Sequence, residues 1–298
     1  MQQTAQAEVH PLIRDFELIV VPGVYDVLSA KLAARAGFNS MVLTGYGFSA
    51  SQLGEPDFGL FTQSEILDCA RRIRSAVDVN LVVDGDTGHG GPLNVERLVR
   101  ELVRIGARGV ILEDQRWPKR CGHMRGKEVI DAEEHVQKIR AAREARGDYM
   151  LIITGRTDAL ETHGMDEALR RARLYKEAGA DVLFVEGPRT LEELRIIGKE
   201  LPPPLAVNLI EGGRTPMPSL EELKQLGFFS VGFVLSGLYA AAWALENTYR
   251  EIRARGRTDD LRAHMLDFDA FGERIGLEQR YADDERFRAG DRSAERSQ

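Results

Sequence analysis

Only two cysteines, Cys69 and Cys121, occur in 298 residues, which excludes a disulfide framework and fits a reducing compartment. No apolar run approaches the roughly 18–20 residues that cross a bilayer, so no membrane association is expected. Acidic residues outnumber basic ones, 47 to 40, and a net charge of −7 removes the electrostatic case for a nucleic-acid partner. The opening MQQTAQAEVH has neither the basic stretch nor the apolar core of a secretory leader. The expectation is a cytoplasmic protein that handles small molecules. No linker divides the chain, because its 29 glycines are scattered. A glycine-rich phosphate turn is missing as well: PGVYD (22–26), which closes the first apolar run, is not one.

What the chain does have is a repeated beat. Apolar, β-branched runs occur at 18–24, 40–45, 80–86, 109–115, 151–159, 181–187, 205–212 and 230–237. Amphipathic stretches such as NVERLVRELVRIG (94–106) and DEALRRARLYKEAG (166–179) lie between them. Continuous apolar strands alternating with helices indicate a parallel sheet covered on both faces. Eight such units predict an α/β fold, a (β/α)8 TIM barrel, in preference to an open doubly wound sheet. Residues 1–298 then form a single barrel domain. Helices over about 238–280 exceed the barrel's count and are expected to pack on another subunit. The charged stretch 281–298 is expected to be a loose tail.

Barrel enzymes work at the C-terminal ends of their strands. Polar residues gather there: Thr44, Gly45 and Tyr46; Asp84 and Asp86; Glu113 and Asp114; Arg156 and Asp158; Glu186; Asn208 and Glu211; Ser236. Turn and capping preferences account for about half of these. They do not account for Arg156 and Glu186, which directly follow apolar runs. Asp84, Asp86 and Glu113 bring three carboxylates to neighbouring strand ends, which suits a hard cation, Mg2+ or Mn2+. The alternative is an acid cluster neutralised by Arg156. Zinc fits less well, since Cys121 and His123 lack two further ligands at a usual spacing.

The run EDQRWPKRCGHMRGK (113–127) comes directly after the fourth apolar stretch. Basic neighbours lower a thiol pKa, so Cys121 is expected to be poised as a general acid or nucleophile. Gly122 and Gly126 would let residues Lys119 to Lys127 move as a cover. Simple solvation of a basic loop is the plainer alternative. Cys69, inside a helical pattern, is expected to be packing.

VDGDTGHG, ILEDQ, PKRCGHMRGK, GRTDA, FVEG, NLIEGGRTP and GEPDFG, in register from about PGVYD to SVGFVLSG, resemble the isocitrate lyase and phosphoenolpyruvate mutase superfamily. The resemblance implies a (β/α)8 barrel whose eighth helix is exchanged between subunits, usually in a homotetramer. It implies that Asp84 lies nearest a Mg2+ that Asp57, Asp86 and Glu113 hold directly or through water. Arg156 would bind the substrate's carboxylate and carbonyl end, and the Thr44–Gly45–Tyr46 backbone the 2-oxo acid portion. Glu186 and Asn208 would line the pocket, with Gly122 and Ser236 counted among the substrate-binding residues. Cys121 would protonate the departing enolate, flanked by Lys119 and His123. The activity implied is a Mg2+-dependent carbon–carbon lyase on a 2-hydroxy di- or tricarboxylate of methylisocitrate, dimethylmalate, citramalate or oxaloacetate type. The alternatives are a phosphonomutase acting on a phosphoenolpyruvate-like substrate, or a non-catalytic barrel. Tyr239 stands where the methylisocitrate lyases carry an arginine for a third carboxylate, and this points to smaller substrates.

Overall fold

Each expected apolar run holds a strand, the eighth only the end of one that starts two residues earlier. In the computed structural model, which describes residue 13 and residues 18–295, with side chains to residue 288, these are β1 (Ile19–Val24), β2 (Ser40–Leu43), β3 (Asn80–Asp84), β4 (Gly109–Glu113), β5 (Ile152–Thr157), β6 (Val182–Val185), β7 (Leu205–Asn208) and β8 (Phe228–Phe233). They pair in chain order, all parallel, and β1 closes on β8. This closure excludes the open sheet. The strands mostly end earlier than the apolar runs, so their polar residues sit at or just beyond the barrel rim.

The helices are α1 (Val27–Arg35), α2 (Gly45–Phe48), α3 (Gln63–Ala76), α4 (Pro92–Ile105), α5 (Ala132–Arg146), α6 (Ala159–His163), α7 (Met165–Ala178), α8 (Leu191–Glu200), α9 (Leu220–Gln225), α10 (Ser236–Arg255), α11 (Phe268–Ile275) and α12 (Leu277–Glu295). α4 shows how they attach. Val95, Leu98, Val99 and Leu102, at i, i+3, i+4 and i+7, are buried, while Arg97 and Arg100 are exposed. Burying each such side chain contributes about 1.5–3 kcal/mol. Pro92 opens this helix where its missing N–H is not needed, and Gly106, at φ 80°, ends it.

The register of the sheet sets the height of the polar residues. Glu113 of β4 pairs with Arg156 of β5, which pairs with Phe184 of β6, so all three stand at one level near the mouth.

The chain divides into two compact units, Met1–Tyr239 and Ala240–Gln298. In the second, α12 takes up residues 281–295 of the stretch expected to be a loose tail. Ion pairs one helical turn apart, Arg286–Asp283 at 3.2 Å and Arg288–Asp284 at 2.9 Å, give this apolar-poor segment the side-chain pairing a helix uses. Trp243, Tyr249 and Phe268 of this unit are exposed.

α5 buries His135 completely, ring against ring with Tyr175 at 4.5 Å. Burial pushes its pKa down to about 3, with Lys138 adding to the effect. The folded protein thus keeps the ring neutral where the unfolded chain, with a value near 6.5, takes up a proton. Stability is full above pH ~6.5 and falls as pH drops toward 3, by up to about 1.4 kcal/mol per pH unit. In guanidinium titrations at pH 7 and pH 5, His135→Gln is expected to lose about 2 kcal/mol less than wild type. Equal losses would remove His135 as the cause.

Candidate active site

The acids after β2, β3 and β4 converge. Asp84 accepts hydrogen bonds from the N–H groups of Gly45 (3.1 Å) and Asp86 (3.2 Å). A Cβ on Gly45 would stand 3.0 Å from an Asp84 oxygen and 3.1 Å from one of Asp86, so only glycine lets this backbone approach without displacing a neighbour. Asp86 adopts φ 47°, a left-handed conformation that Asp tolerates better than most residues, and is wholly buried. Asp57 and Glu113 are buried beside it. Lys119 places its Nζ 2.7 Å from Asp57 Oδ2 and 2.6 Å from Asp86 Oδ1. Burial pushes the Asp86 carboxyl up to about 8, against the pull of Lys119 and with help from Asp84 and Asp57. Burial also holds Glu113 well above the usual range, although Arg156 and Lys119 oppose it. For Lys119 burial works against the charge, and the carboxylates outweigh it, keeping the ammonium protonated.

Arg156, at the end of β5, is gripped from three sides. Its Nε and Nη2 donate to the two oxygens of Asp158 at 2.9 and 3.1 Å, and its Nη1 lies 3.2 Å from Glu113 and 3.4 Å from Glu186. The guanidinium stacks over Phe184 at 5.4 Å. Behind it Asp114, fully buried, accepts from Thr157 Oγ1 (2.7 Å), Tyr175 OH (2.6 Å), Arg171 Nη1 (3.0 Å) and the N–H of Asp158 (2.9 Å). Such a satisfied network fixes the rotamers of the residues it supports.

The loop Lys119–Lys127 lies closed over these groups. Cys121 N–H donates to the Asp57 carbonyl at 3.1 Å. The Gln115 side chain holds the Arg120 backbone on both sides, at 2.8 and 3.0 Å. His123 Nδ1 accepts from the Arg214 N–H at 2.9 Å, and its Nε2 faces Glu186 Oε1 at 3.1 Å. The acceptor role of Nδ1 places the ring proton on Nε2. A Cβ on Gly122 would stand 2.3 Å from Glu186 and 2.5 Å from Arg156. Beneath the loop is a cavity of about 40 Å³, walled by Thr44, Tyr46, Asp57, Asp84, Cys121, Gly122, His123, Arg156, Glu186 and Asn208, with Val42, Ile111, Ile210, Val234 and Leu235 as its apolar side.

Known proteins resemble this chain in sequence and fold. The phosphoenolpyruvate phosphomutase family model matches residues 10–253. The petal death protein of Dianthus caryophyllus is 48% identical, over 94% of this chain and 88% of its own length. This chain belongs to the phosphoenolpyruvate mutase/isocitrate lyase superfamily. It is therefore an enzyme of a family of lyases and mutases. The chloroplastic carboxyvinyl-carboxyphosphonate phosphorylmutase of Arabidopsis thaliana is 43% identical, with 92% and 82% of the two chains covered. The 2,3-dimethylmalate lyase of Eubacterium barkeri is 40% identical, with 92% and 94% covered. Among solved structures, oxaloacetate acetylhydrolase in complex with 3,3-difluorooxalacetate superposes with a TM-score of 0.86 at 36% identity, covering 92% and 94%. Phosphonopyruvate hydrolase in complex with oxalate and Mg2+ gives 0.80 at 29% identity, covering 89% and 92%.

Within this superfamily member, most residues singled out in the sequence meet at one place. Ser236 does not: its hydroxyl donates to Glu211 Oε1 at 2.5 Å, and it is not part of the cavity wall. Two further expectations need correction. The sequence groups Lys119 with the moving cover, yet its ammonium is fixed in the acid floor. The basic neighbours of Cys121 predict an acidified thiol, and instead burial pushes it up to about 12, with Asp57 and Glu186 adding to the effect. The basic groups are engaged elsewhere: Lys119 and His123 on carboxylates, Arg120 on the Arg125 carbonyl. Cys121 consequently keeps its proton, which suits an acid and not a thiolate nucleophile. The sequence does not mark Lys127, Arg171 or Tyr175, nor the supporting part played by Asp114; these residues come together only in three dimensions.

The donor set fits a hard cation. Asp57 Oδ1, both Asp86 oxygens and both Glu113 oxygens are buried without a hydrogen-bond partner. Lys119 and Arg156 stand within ion-pair distance of some of them, so the rival reading of a neutralised acid cluster has real contacts too, chiefly through Lys119. As the side chains stand, no three His, Cys, Asp or Glu groups among the described residues form a ready coordination cage. The charge balance favours the cation nonetheless. Asp84, Asp86 and Glu113 crowd together beside Asp57, and burial together with their mutual repulsion raises the carboxyls of Asp86 and Glu113, a cost that a bound cation would remove. No helix among the described residues is long and apolar enough to cross a membrane.

Proposed function

We propose that this chain is a Mg2+-dependent carbon–carbon lyase that cleaves a small 2-hydroxy dicarboxylate through an enolate. The observation that carries the reading is the Cys121 thiol, held on the wall of a cavity that Arg156 also lines. Arg156 binds the carboxylate and developing carbonyl of the substrate, and the Thr44–Tyr46 backbone supports the same end. Glu186, kept ionised because Arg156 and His123 outweigh its burial, is placed to take the hydroxyl proton. Cys121 delivers its own proton to the leaving carbon. Val42, Ile111 and Ile210 keep water from intercepting that carbanion. A divalent cation held by Asp84, Asp57, Asp86 and Glu113 supplies Lewis-acid stabilisation of the oxyanion. The Mg2+–oxalate complex of the phosphonopyruvate hydrolase relative supports that assignment.

Substrate size is set by the cavity and its lip. About 40 Å³ holds roughly three water-sized groups beyond the protein atoms. Tyr239 lies near Tyr46 and Cys121, both of which line the cavity. Dimethylmalate- or oxaloacetate-type substrates fit such a space better than a tricarboxylate, and relatives bear those names. The deciding experiment is a screen of 2-hydroxy di- and tricarboxylates with Mg2+, read as 2-oxo acid release. Dicarboxylates are expected to turn over fastest. Tyr239→Arg is expected to raise kcat/KM for 2-methylisocitrate about tenfold, through one added charge-assisted hydrogen bond. A wild-type preference for the tricarboxylate would sink this size argument.

The 43% identity to the Arabidopsis phosphorylmutase favours a second reading, a phosphonomutase. A phosphonate signal in phosphorus NMR after incubation with a phosphoenolpyruvate analogue would establish it over the lyase. We infer further that helices from Ala240 onward, with Trp243, Tyr249 and Phe268 exposed, serve subunit packing in a homotetramer. Two free thiols support a reducing compartment such as the cytoplasm.

A further inference from the structure

Lys127 closes the loop that bears Cys121, and the chemistry above leaves it without a task. Its side chain is only 1% exposed, an expensive place for an ammonium group. Its ammonium donates to the Gly122 carbonyl at 2.6 Å and to Asp158 Oδ1 at 3.0 Å, and stands in ion-pair contact with Glu161 Oε2 at 3.2 Å. Two of these partners belong to different parts of the fold, the loop and the rim after β5. Gly122 is the residue after Cys121 and lies against Glu186 and Arg156. Asp158 is the carboxylate that grips Arg156 with both oxygens. Glu161 also pairs with Arg214 Nη1 at 2.5 Å, and the Arg214 N–H holds His123.

We propose that Lys127 is a positioning residue that couples closure of the Lys119–Lys127 loop to the setting of the Arg156 guanidinium, through Asp158. When the loop leaves, the ammonium leaves with it, and Asp158 loses the partner that balances Arg156. When the loop closes, the same ammonium fixes the carbonyl beside Cys121 and restores the two-oxygen grip on Arg156. Substrate binding and proton delivery are thereby switched on by one contact. The role of Arg156 rests on the lyase reading above, whereas the contact itself does not.

The test compares Lys127→Met with wild type in two measurements. Backbone hydrogen exchange over 119–127, first without ligand, is expected to quicken about tenfold while β2 and β7 stay as in wild type. With Mg2+ present, oxalate is expected to bind about tenfold more weakly, and kcat/KM on the cleaved substrate to fall about 100-fold, with KM raised and kcat lowered together. Lys127→Arg should recover part of each loss. Wild-type exchange in the loop overturns the proposal, as does faster exchange spread evenly through the barrel, the mark of a merely structural lysine. If Lys127→Met does not fold, Glu161→Gln decides at the half-exposed end of the contact: about threefold faster loop exchange supports the proposal and wild-type exchange overturns it. A panel on which nothing is cleaved overturns the lyase reading and leaves the exchange result standing. Unchanged exchange beside full activity overturns the coupling alone.

Discussion

Cys121→Ser is expected to lower kcat by about 10²–10⁴ on the cleaved substrate while leaving KM within about threefold. The two side chains are close in size, so the loop still closes and Arg156 still binds. What is lost is a polarisable acid able to give up its proton, since a serine hydroxyl is far weaker in that role. Steady-state kinetics of 2-oxo acid release measures both constants. A Cys121→Ser enzyme at the wild-type rate would refute the lyase mechanism, because among the described residues lining the cavity Cys121 supplies the one thiol. Solvent-isotope labelling adds a check: the leaving fragment should acquire its new hydrogen from solvent more slowly in the variant.

Arg156→Met is expected to have the largest combined effect. It removes the cation that Glu113, Asp158 and Glu186 share inside the barrel mouth. Breaking a buried ion pair from one side costs about 3–5 kcal/mol, because the remaining charge stays desolvated. For a chain of this size that corresponds to a fall in Tm of roughly 10 °C, measurable by calorimetry. Activity should fall below detection, since the same guanidinium receives the substrate carboxylate. A variant that melts like wild type would mean that Lys127 and Lys119 already satisfy these acids. Added Mg2+ should recover part of the lost stability if the cation binds the acid floor, through mass action on the folded state.

The barrel is readable because its strands are buried on both faces, which turns them into continuous apolar runs such as NLVVD and DVLFV. The strand-end residues are readable for a related reason: Arg156 and Glu186 are charges directly after such runs, where only the mouth can accept them. Charges in the loop carry no such pattern. Lys119 and Lys127 look alike in KRCGHMRGK, and only the fold shows both turned inward, one to Asp57 and Asp86, the other to Asp158 and Gly122. The Cys121 pKa runs against its sequence context for the same reason. A neighbour in sequence acts on a thiol only if its charge is near and unpaired, and here the carboxylates of Asp57 and Glu186 weigh more. The Asp114 network joins residues 43 to 61 positions apart, a separation that periodicity cannot reveal. The C-terminal helix is hidden because its polarity resembles that of an unfolded tail. Its i, i+3 and i, i+4 ion pairs are the signal that distinguishes the two.

Gly122 sets a limit of a different kind. A methyl group at that position would overlap Glu186 and Arg156, at 2.3 and 2.5 Å, closer than non-bonded atoms of this kind can come. The cover therefore fits its seat with no spare volume, like a stopper ground to its neck. Any side chain at 122, however small, would either push Glu186 and Arg156 aside or hold the loop, and Cys121 with it, ajar. The enzyme's ability to keep solvent away from a carbanion thus depends on an atom that is not there.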